Sequence, residues 1–503
     1  MNELVPLLAG FSGVLDIWVL LAIFAGVLIG LVVGAMPGLG PLIGIVLLTP
    51  FAAALQPVTG MTLLIAVYVG GSSGGAVSAI LLRIPGTPLA AATMLDGAPM
   101  AAKGEVGRAL GLAVGASALG GLLGGLFLVA LAPLLAEAAL NFGPPEYFAL
   151  CVLGLLSIAA VSFGSGVKGL IVGLVGFLLT SVGIDRFSGA ERFTFGMDAL
   201  LGGINLVPIV VGLFAVSEVL VQLGARAQTN SPITAARVSF AGLIEALGLG
   251  RTILRAGTIG TFMGALPGVG GAISSFVAYG VERTASRDTD SFGTGNPRGV
   301  IAAESANNAC CGGTLVPSMA LGIPGDGTSA ILIGALILLG YYPGPNLFSD
   351  APDVVGGIFA GYLLANIALL ALGALLVPVL VRILRVPQSY LLPVVLLLAA
   401  TGTYALQGAV FDLWVMMGFG LLGYGLRRGG FPLPPLVIGA ILGPLCEENF
   451  RRSLLISGGD LGIFVERPIS LAALILATGA LAIIVMPTRW RARLTPSSAK
   501  GPK

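Results

Sequence analysis

Residues 34–40 read Gly-Ala-Met-Pro-Gly-Leu-Gly, and residues 264–270 repeat the pattern as Gly-Ala-Leu-Pro-Gly-Val-Gly. Each copy lies in a long apolar region and is followed by a segment rich in Gly, Ser and Thr that ends in Ile-Pro-Gly, at 84–86 and 323–325. Pro and Gly interrupt helices, and an interrupted helix in a bilayer leaves backbone groups that lipid cannot satisfy. Matched interruptions in two halves of a chain therefore indicate a binding site inside a membrane transporter.

The composition is that of a protein with many membrane spans. Of the 503 residues, 56% are hydrophobic and only 10% are charged, whereas about 25% are charged in a typical soluble protein. The 77 glycines favour close packing of transmembrane helices, because small residues let two backbones approach. The first apolar run, 14–33, is long enough to remain as a span rather than to be removed as a signal peptide.

Several kinds of chemistry are excluded or disfavoured by the residues present. The chain has no histidine, which excludes histidine acid/base catalysis and histidine-ligated metals or haem. It has no P-loop lysine motif and no paired carboxylate motif in its apolar runs, so we expect neither an enzyme nor a bound cofactor. Four cysteines without CxxC spacing are predicted to be small buried hydrophobes; they are Cys151, Cys310, Cys311 and Cys446.

These patterns predict an all-α polytopic membrane protein built from two inverted-topology repeats with broken helices or re-entrant hairpins. The predicted segments are a first repeat at 14–225, a cytoplasmic connector at 226–249, a second repeat at 250–455 and an extra C-terminal transmembrane helix at 466–487. The polar stretch 283–298 interrupts the second repeat, and we expect it to be a flexible loop.

Charge placement predicts the orientation, because Lys and Arg mark the cytoplasmic ends of spans. The central connector and the C-terminal tail are both basic, so the C-terminus is predicted inside and the N-terminus outside. Glu137 and Glu146 follow the long span of the first half, whereas Arg382 and Arg385 follow its counterpart. Equivalent loops therefore lie on opposite faces, which is why the repeats are predicted to be inverted. The number of spans stays open, at roughly 11 to 14.

The interrupted helices also suggest how an anionic substrate would bind. A helix N-terminus presents unpaired N–H groups that suit a carboxylate, and glycine lets the ligand approach the backbone. For an isolated Ser or Thr, a bond to its own helix is the simpler interpretation. The candidate substrate-binding residues are Pro37, Gly38, Gly40, Ser72, Ser73, Pro267, Gly268, Gly270, Ser274 and Thr314.

Polar residues in the second half are the candidates for ion coupling. Asn307 and Asn308 lie together in apolar sequence and offer the hard oxygen ligands that Na⁺ accepts. Asp326 and Thr328 follow the second Ile-Pro-Gly, where Asp326 either caps a helix or holds a cation or proton. Glu304 and Glu218 are weaker candidates for a proton relay.

The ordered motifs resemble the TctA family, the large transmembrane subunit of tripartite tricarboxylate transporters, over nearly the whole chain. The segments that carry the resemblance are 34–40, 68–75, 84–88, 192–196, 264–271 and 322–325. The resemblance implies uptake of a carboxylate, such as a tri- or dicarboxylate, across the bacterial cytoplasmic (inner) membrane. It also implies secondary transport, by symport with Na⁺ or H⁺ and not by ATP.

The same resemblance implies partners and a mechanism. A periplasmic substrate-binding protein would deliver the substrate, and a small membrane subunit of about four spans would accompany this chain. An elevator mechanism would need a fixed scaffold, and we expect a homodimer through the long spans at 109–136 and 354–383. A passive channel for small organic anions remains the alternative that the sequence leaves open.

Overall fold

The computed structural model describes residues 10–485, apart from 12, 162–165, 225–238, 268–269, 384–385 and 387. In these ranges the chain is almost entirely helical. Its one sheet there is a hairpin of two two-residue strands, β1 (Gly183–Ile184) and β2 (Glu191–Arg192). The expected all-α class is confirmed for this part of the chain.

Six helices of the described chain are long and apolar enough to cross a membrane. They are Ile17–Ala35, Pro57–Leu82, Val106–Ala139, Leu206–Gly224, Pro352–Leu376 and Tyr390–Gln407. Further apolar helices of 10–17 residues, among them Gly40–Ala53 and Gly327–Leu338, lie between them. The chain is therefore a polytopic membrane protein.

The chain divides into two compact units, and each unit takes segments from both halves of the sequence. Unit 1 comprises Met1–Asn141 and Asn205–Gly425, and unit 2 comprises Phe142–Ile204 and Leu426–Lys503.

The helices of unit 1 are α1 Ile17–Ala35, α2 Gly40–Ala53, α3 Pro57–Leu82, α4 Met94–Ala102, α5 Val106–Ala139, α8 Leu206–Gly224, α9 Phe240–Gly248, α10 Gly250–Ala265, α11 Gly270–Ala285, α12 Pro297–Leu321, α13 Gly327–Leu338, α14 Asn346–Asp350, α15 Pro352–Ile383, α16 Gln388–Gln407 and most of α17 Val410–Arg428. Those of unit 2 are α6 Pro144–Val161, α7 Gly166–Leu179, α18 Pro434–Ile456, α19 Ile463–Glu466 and α20 Pro468–Val485.

Both repeated motifs break a helix in the same way. Met36 and Leu266 have extended backbones, with ψ of 116° and 118°, and each donates its N–H to a carbonyl three residues back at 3.3 Å. In the first copy, positive φ angles at Gly38 (92°) and Gly40 (70°) then turn the chain into α2. Such angles strain residues with a β-carbon, which explains the glycines.

Glycines also bring α1 against α3, and α10 against α12, until the backbones touch. A β-carbon at Gly30 would lie 2.5 Å from the carbonyl oxygen of Val67, and one at Gly264 would lie 2.5 Å from that of Cys310. The same kind of approach occurs at Gly26, Gly34, Gly70, Gly74, Gly260 and Gly313. Both helix pairs therefore rely on small residues for close packing, as transmembrane helices commonly do.

The two long helices α3 and α12 end alike. Their last residues are followed by left-handed backbone, at Arg83 (φ 55°) and Gly322 (φ 70°). After each Ile-Pro-Gly turn, Thr87 and Asp326 accept a backbone N–H from three residues ahead, at 3.3 and 2.7 Å. The Arg83 side chain is exposed. Left-handed backbone costs a non-glycine residue about 1–2 kcal/mol, so surrounding packing must hold Arg83 in this conformation.

Residues 293–296, at the end of the stretch 283–298, are anchored to α4, while the flexibility expected for this loop stays a prediction. Asp96 of α4 is fully buried, and its Oδ1 accepts the backbone N–H groups of Gly293, Gly295 and Asn296, each at 2.8 Å. Its Oδ2 accepts the Tyr279 hydroxyl at 2.9 Å. A carboxylate with four donors is well satisfied, so a residue of the first half holds the end of this loop of the second.

Unit 2 is held by helix packing and by a charged cluster on its hairpin. Helix α18 packs on α6 and α7, and α20 packs on α6. Asp185, next to β1, accepts the Phe187 N–H at 2.8 Å and pairs with Arg451 at 2.8 Å. Arg192 of β2 pairs with Glu447 at 2.7 Å. These bonds tie the hairpin to the end of α18.

The contact between α1 and α3 predicts a strong effect of Gly30→Leu. The new side chain would meet backbone atoms of Val67 and Gly71, so we expect a loss of stability of at least about 2 kcal/mol, as for other overpacked sites. The measurement is the thermal unfolding midpoint in detergent. Gly418→Leu is the control, because that helical glycine has open space around it. Equal midpoints for the two variants would contradict the packing argument.

The environment of Asp185 predicts a pH-dependent contribution to stability. The Phe187 N–H and the Arg451 guanidinium lower the pKa of Asp185 below its ordinary value. A lowered pKa in the folded state stabilises the protein above the unfolded pKa of about 3.9, and this contribution is lost as the pH falls through the folded value. Wild type should therefore unfold at a higher temperature than Asp185→Asn at pH 6, and the difference should shrink below about pH 4. A difference that does not change with pH would contradict this.

Candidate functional site

Helices α3 and α12 meet inside unit 1 through buried polar side chains. We call this place the helix crossing and define it by Tyr68 and Ser72 on α3 and by Asn307, Cys311 and Thr314 on α12. All five side chains are buried. The Asn307 amide donates to the Ser72 carbonyl at 3.0 Å, and the Cys311 thiol lies 3.2 Å from the Ser72 hydroxyl. The two halves of the sequence are thus joined by polar contacts within an apolar unit.

Tyr68 extends the helix crossing to the start of α13. Its hydroxyl donates to Asp326 Oδ2 at 2.8 Å and lies 3.3 Å from Thr314 Oγ1. The other carboxylate oxygen of Asp326 accepts the Ser329 N–H, and the Ser329 hydroxyl lies 3.0 Å from the Asp326 N–H, which completes a capping box. Asp326 therefore caps a helix and also contacts α3; its predicted role in ion coupling stays a prediction.

Several amide atoms at and near the helix crossing have no partner. In the described part of the chain, Asn307 Oδ1, both terminal atoms of Asn308 and Asn366 Oδ1 are buried without a hydrogen bond. A buried polar group without a partner costs about 1–3 kcal/mol. A bound ligand, water or ion is one explanation for such groups, and these asparagines have donor and acceptor atoms that could bind one.

Glu304 lies one helical turn before Asn307 and is fully buried. Its Oε1 accepts the Thr93 hydroxyl, and its Oε2 accepts the Ser117 hydroxyl at 2.8 Å and the Asn307 amide at 3.4 Å. Thr93 precedes α4, and Ser117 lies on α5. Sequence reasoning missed both hydroxyls, because no spacing rule links three separate segments.

The predicted helix tips have different surroundings. A β-carbon at Gly38 would lie 2.6 Å from Glu218 Oε1, and Gln222 donates to that same oxygen at 2.7 Å. The first tip therefore faces a carboxylate of α8. Pro37 is partly buried and Gly40 is buried at the start of α2.

The second tip is described only in part. Gly268 lies outside the described residues. Pro267 is partly buried, and Gly270 begins α11. A β-carbon at Gly271, the next residue, would lie 3.7 Å from the unpartnered Asn307 Oδ1. The start of α11 is thereby placed beside the helix crossing.

Some of the remaining predicted residues hydrogen-bond within their own helices, and others lie away from the helix crossing. The hydroxyls of Ser274 and Thr314 donate to carbonyls of their own helices, at 2.8 and 2.9 Å. Ser73 lines a small apolar cavity with residues of α1, α5 and α15 rather than the helix crossing. Thr328 is buried in the first turn of α13. Of the predicted substrate residues, the structure brings Ser72 and Thr314 together with Asn307.

The comparisons with known proteins give one family and two relatives. Residues 20–438 match the profile described as "Tripartite tricarboxylate transporter TctA family". An uncharacterised 52.8 kDa protein in the TAR-I ttuC′ 3′ region of Agrobacterium vitis is 38% identical over 92% of this chain and 93% of its own length. An uncharacterised protein in the TAR-II ttuC′ 3′ region of the same organism is 38% identical over 45% of this chain and 93% of its own length.

No solved structure matches this chain. The family profile and the first relative nevertheless each cover most of its length. The family is one of transporters and not a class of enzyme. The chain belongs to the TctA family of tripartite tricarboxylate transporters.

Proposed function

We propose that this protein performs secondary active uptake of a carboxylate, driven by a Na⁺ or H⁺ gradient, with the substrate bound at the helix crossing. The observation that carries this is the set of buried polar groups from both halves of the chain, among them the unpartnered Oδ1 of Asn307. Intramembrane polar groups are costly and mark substrate or ion paths. A tri- or dicarboxylate fits the hydroxyls, amides and helix starts gathered there.

Alternating access is the proposed mechanism, based on two inverted repeats. Its support is that equivalent glycines make equivalent contacts: Gly30 with Val67 in the first half, and Gly260 with Ala306 in the second. A duplicated scaffold around one site can expose that site to either side of the membrane in turn. The orientation, with the N-terminus outside and the C-terminus inside, belongs to this proposal.

An elevator movement and a homodimer are further parts of the proposal. The division into two compact units supports an elevator, because one unit contains the whole helix crossing. The predicted dimer contact through 109–136 and 354–383 belongs to the proposal because an elevator needs a fixed scaffold. A cysteine pair introduced across that contact would cross-link in membranes.

The proposed partners are a periplasmic substrate-binding protein and a small membrane subunit of about four spans, in the cytoplasmic membrane of a bacterium. Their support is the tripartite character of the family. The proposed ion-coupling residues are Asn307, Asn308, Asp326 and Thr328, where amide, carboxylate and hydroxyl oxygens suit a small cation.

Reconstitution tests the proposal directly. With the small subunit and the binding protein present, proteoliposomes should accumulate a labelled di- or tricarboxylate only when an ion gradient is imposed. Unlabelled substrate inside should also drive counterflow of label without any gradient, because a carrier exchanges substrate in each cycle. Equilibration without counterflow would favour a passive anion channel, and no transport by well-folded protein of any carboxylate would contradict the proposal.

Tyr68→Phe tests the role of the helix crossing in transport. The change removes the hydroxyl that donates to Asp326, and a bond to a charged acceptor contributes about 1.5–3 kcal/mol. We expect the uptake rate to fall about tenfold, which corresponds to about 1.4 kcal/mol. Tyr404→Phe is the control, since Tyr404 is 46% exposed. Uptake by Tyr68→Phe at the wild-type rate would show that the crossing is not used.

A further inference from the structure

Glu304 is a carboxylate in the first third of a buried helix, α12. Every residue of α12 from Gly299 to Ala320 is buried, and Glu304 itself has no exposed surface. In the described part of the chain, only neutral groups contact it. An ionised carboxylate inside a membrane protein is expensive unless a positive charge compensates it. Among the described residues, no Lys or Arg side chain bonds to Glu304 to supply that charge.

The neutral groups around Glu304 can present oxygen lone pairs to such a cation. The hydroxyls of Thr93 and Ser117 donate to the carboxylate, but a hydroxyl can rotate and accept instead. Asn307 contributes an amide, and its Oδ1 is the atom left without a partner. Rotation of that amide would exchange the positions of its Nδ2 and Oδ1 atoms.

The two positions of the Asn307 amide would have different consequences. As described, Nδ2 lies between Glu304 Oε2 at 3.4 Å and the Ser72 carbonyl at 3.0 Å. With Oδ1 turned toward Glu304, oxygens of four side chains would surround the Glu304 carboxyl group: the carboxylate itself, two hydroxyls and an amide. The Asn307 amide would then no longer donate to the Ser72 carbonyl, so an ion bound at Glu304 would change the contacts at the helix crossing.

We propose that Glu304, Thr93, Ser117 and Asn307 form a binding site for Na⁺. One carboxylate balances a single positive charge, whereas Ca²⁺ takes 6–8 oxygen ligands. Hard oxygen ligands suit Na⁺, and the neutral ion–carboxylate pair is easier to keep inside a membrane than either charge alone. The role of this ion in coupling rests on the proposed transport function; the site itself does not.

Nearby titratable groups are engaged with other partners. Tyr68 and Asp326 bond to each other, Asp96 holds the 283–298 stretch and Tyr279, and Glu282 pairs with arginines. The titratable residues on the elements packed against α12, at the capping positions of those elements and on α12 itself are Tyr68, Arg83, Asp96, Lys103, Glu105, Arg108, Glu137, Arg251, Arg255, Tyr279, Glu282, Arg283, Arg298, Cys310, Cys311, Asp326 and Asp350. None of their side chains has a hydrogen bond or ion pair to Glu304 in the described structure.

A purely structural carboxylate would behave differently from an ion ligand. If Glu304 only joins α4, α5 and α12 by hydrogen bonds, a glutamine of the same shape retains an acceptor oxygen for Thr93 or Ser117. Glu304→Gln should then fold and respond to salts as wild type does. If the carboxylate holds Na⁺, the same variant loses the ion.

Thermal unfolding of the full-length protein in detergent distinguishes these cases. NaCl is titrated against KCl and against choline chloride at constant ionic strength. Because an ion that binds only the folded state stabilises it by mass action, we expect the wild-type midpoint to rise with Na⁺ in a saturable way and to stay level with K⁺ or choline. Glu304→Gln should lose the Na⁺ response. Glu282→Gln should keep it, since Glu282 is a buried carboxylate paired with Arg255.

A second variant keeps the test decisive if Glu304→Gln does not fold. Ser117→Ala removes one oxygen, and we expect about tenfold more Na⁺ to be needed for the half-maximal shift, as for other losses around metal sites. Ser318→Ala is its control, because that buried hydroxyl bonds within its own helix. An unchanged Na⁺ requirement in Ser117→Ala would overturn the site.

The remaining outcomes separate the site from the transport function. A wild-type midpoint that follows pH but not Na⁺ would overturn the Na⁺ site, while H⁺-driven uptake in proteoliposomes would leave the proposed function standing. A Na⁺ response that persists in Glu304→Gln would also overturn the site. A Na⁺ response lost in Glu304→Gln, together with no transport of any carboxylate, would support the site and reject the function.

Discussion

The close approach of helix backbones at glycine is the constraint on which the rest of unit 1 depends. In lipid, apolar side chains gain little by leaving their surroundings, so helices associate through tight packing and polar contacts. The glycines between α1 and α3, and between α10 and α12, remove the side chains that would keep these backbones apart. Since α3 and α12 are each held from outside by such a partner, their other faces are free to meet at Tyr68, Ser72 and Asn307.

The helix crossing combines broken helices with buried polar side chains, and each of these lowers the stability of the fold. The broken helices and polar residues weaken a bundle that would be more stable with apolar side chains, because each unsatisfied buried group carries a penalty. Many of these polar groups nevertheless have hydrogen-bond partners. Asp326, for example, accepts hydrogen bonds from both the Ser329 N–H and the Tyr68 hydroxyl. The penalty is concentrated on a few asparagine atoms, where a ligand would relieve it.

The sequence alone predicts the helix breaks well, because Pro and Gly act locally. The interruption at 36–39, the turn after Arg83 and the cap at Asp326 all lie where those residues indicate. The all-α class follows equally from composition. What depends on distant contacts is not predicted: the hydroxyls around Glu304, the Asp96 anchor and the carboxylate opposite Gly38 all join segments far apart in the chain. A hydroxyl predicted as a ligand, such as that of Ser274, instead donates to a carbonyl of its own helix, because such a carbonyl always lies within reach.

The four cysteines are all buried and free. Their reaction with an added thiol reagent would therefore show when water reaches each position in the native protein. Cys311 lies within the helix crossing, whereas Cys151 and Cys446 belong to unit 2. A thiol reagent that reacts only in water would modify Cys311 whenever the crossing opens, while the unit 2 cysteines record general loosening of the fold. The ratio of the two rates, with reagents that do or do not cross lipid, would show when the crossing opens and toward which side of the membrane.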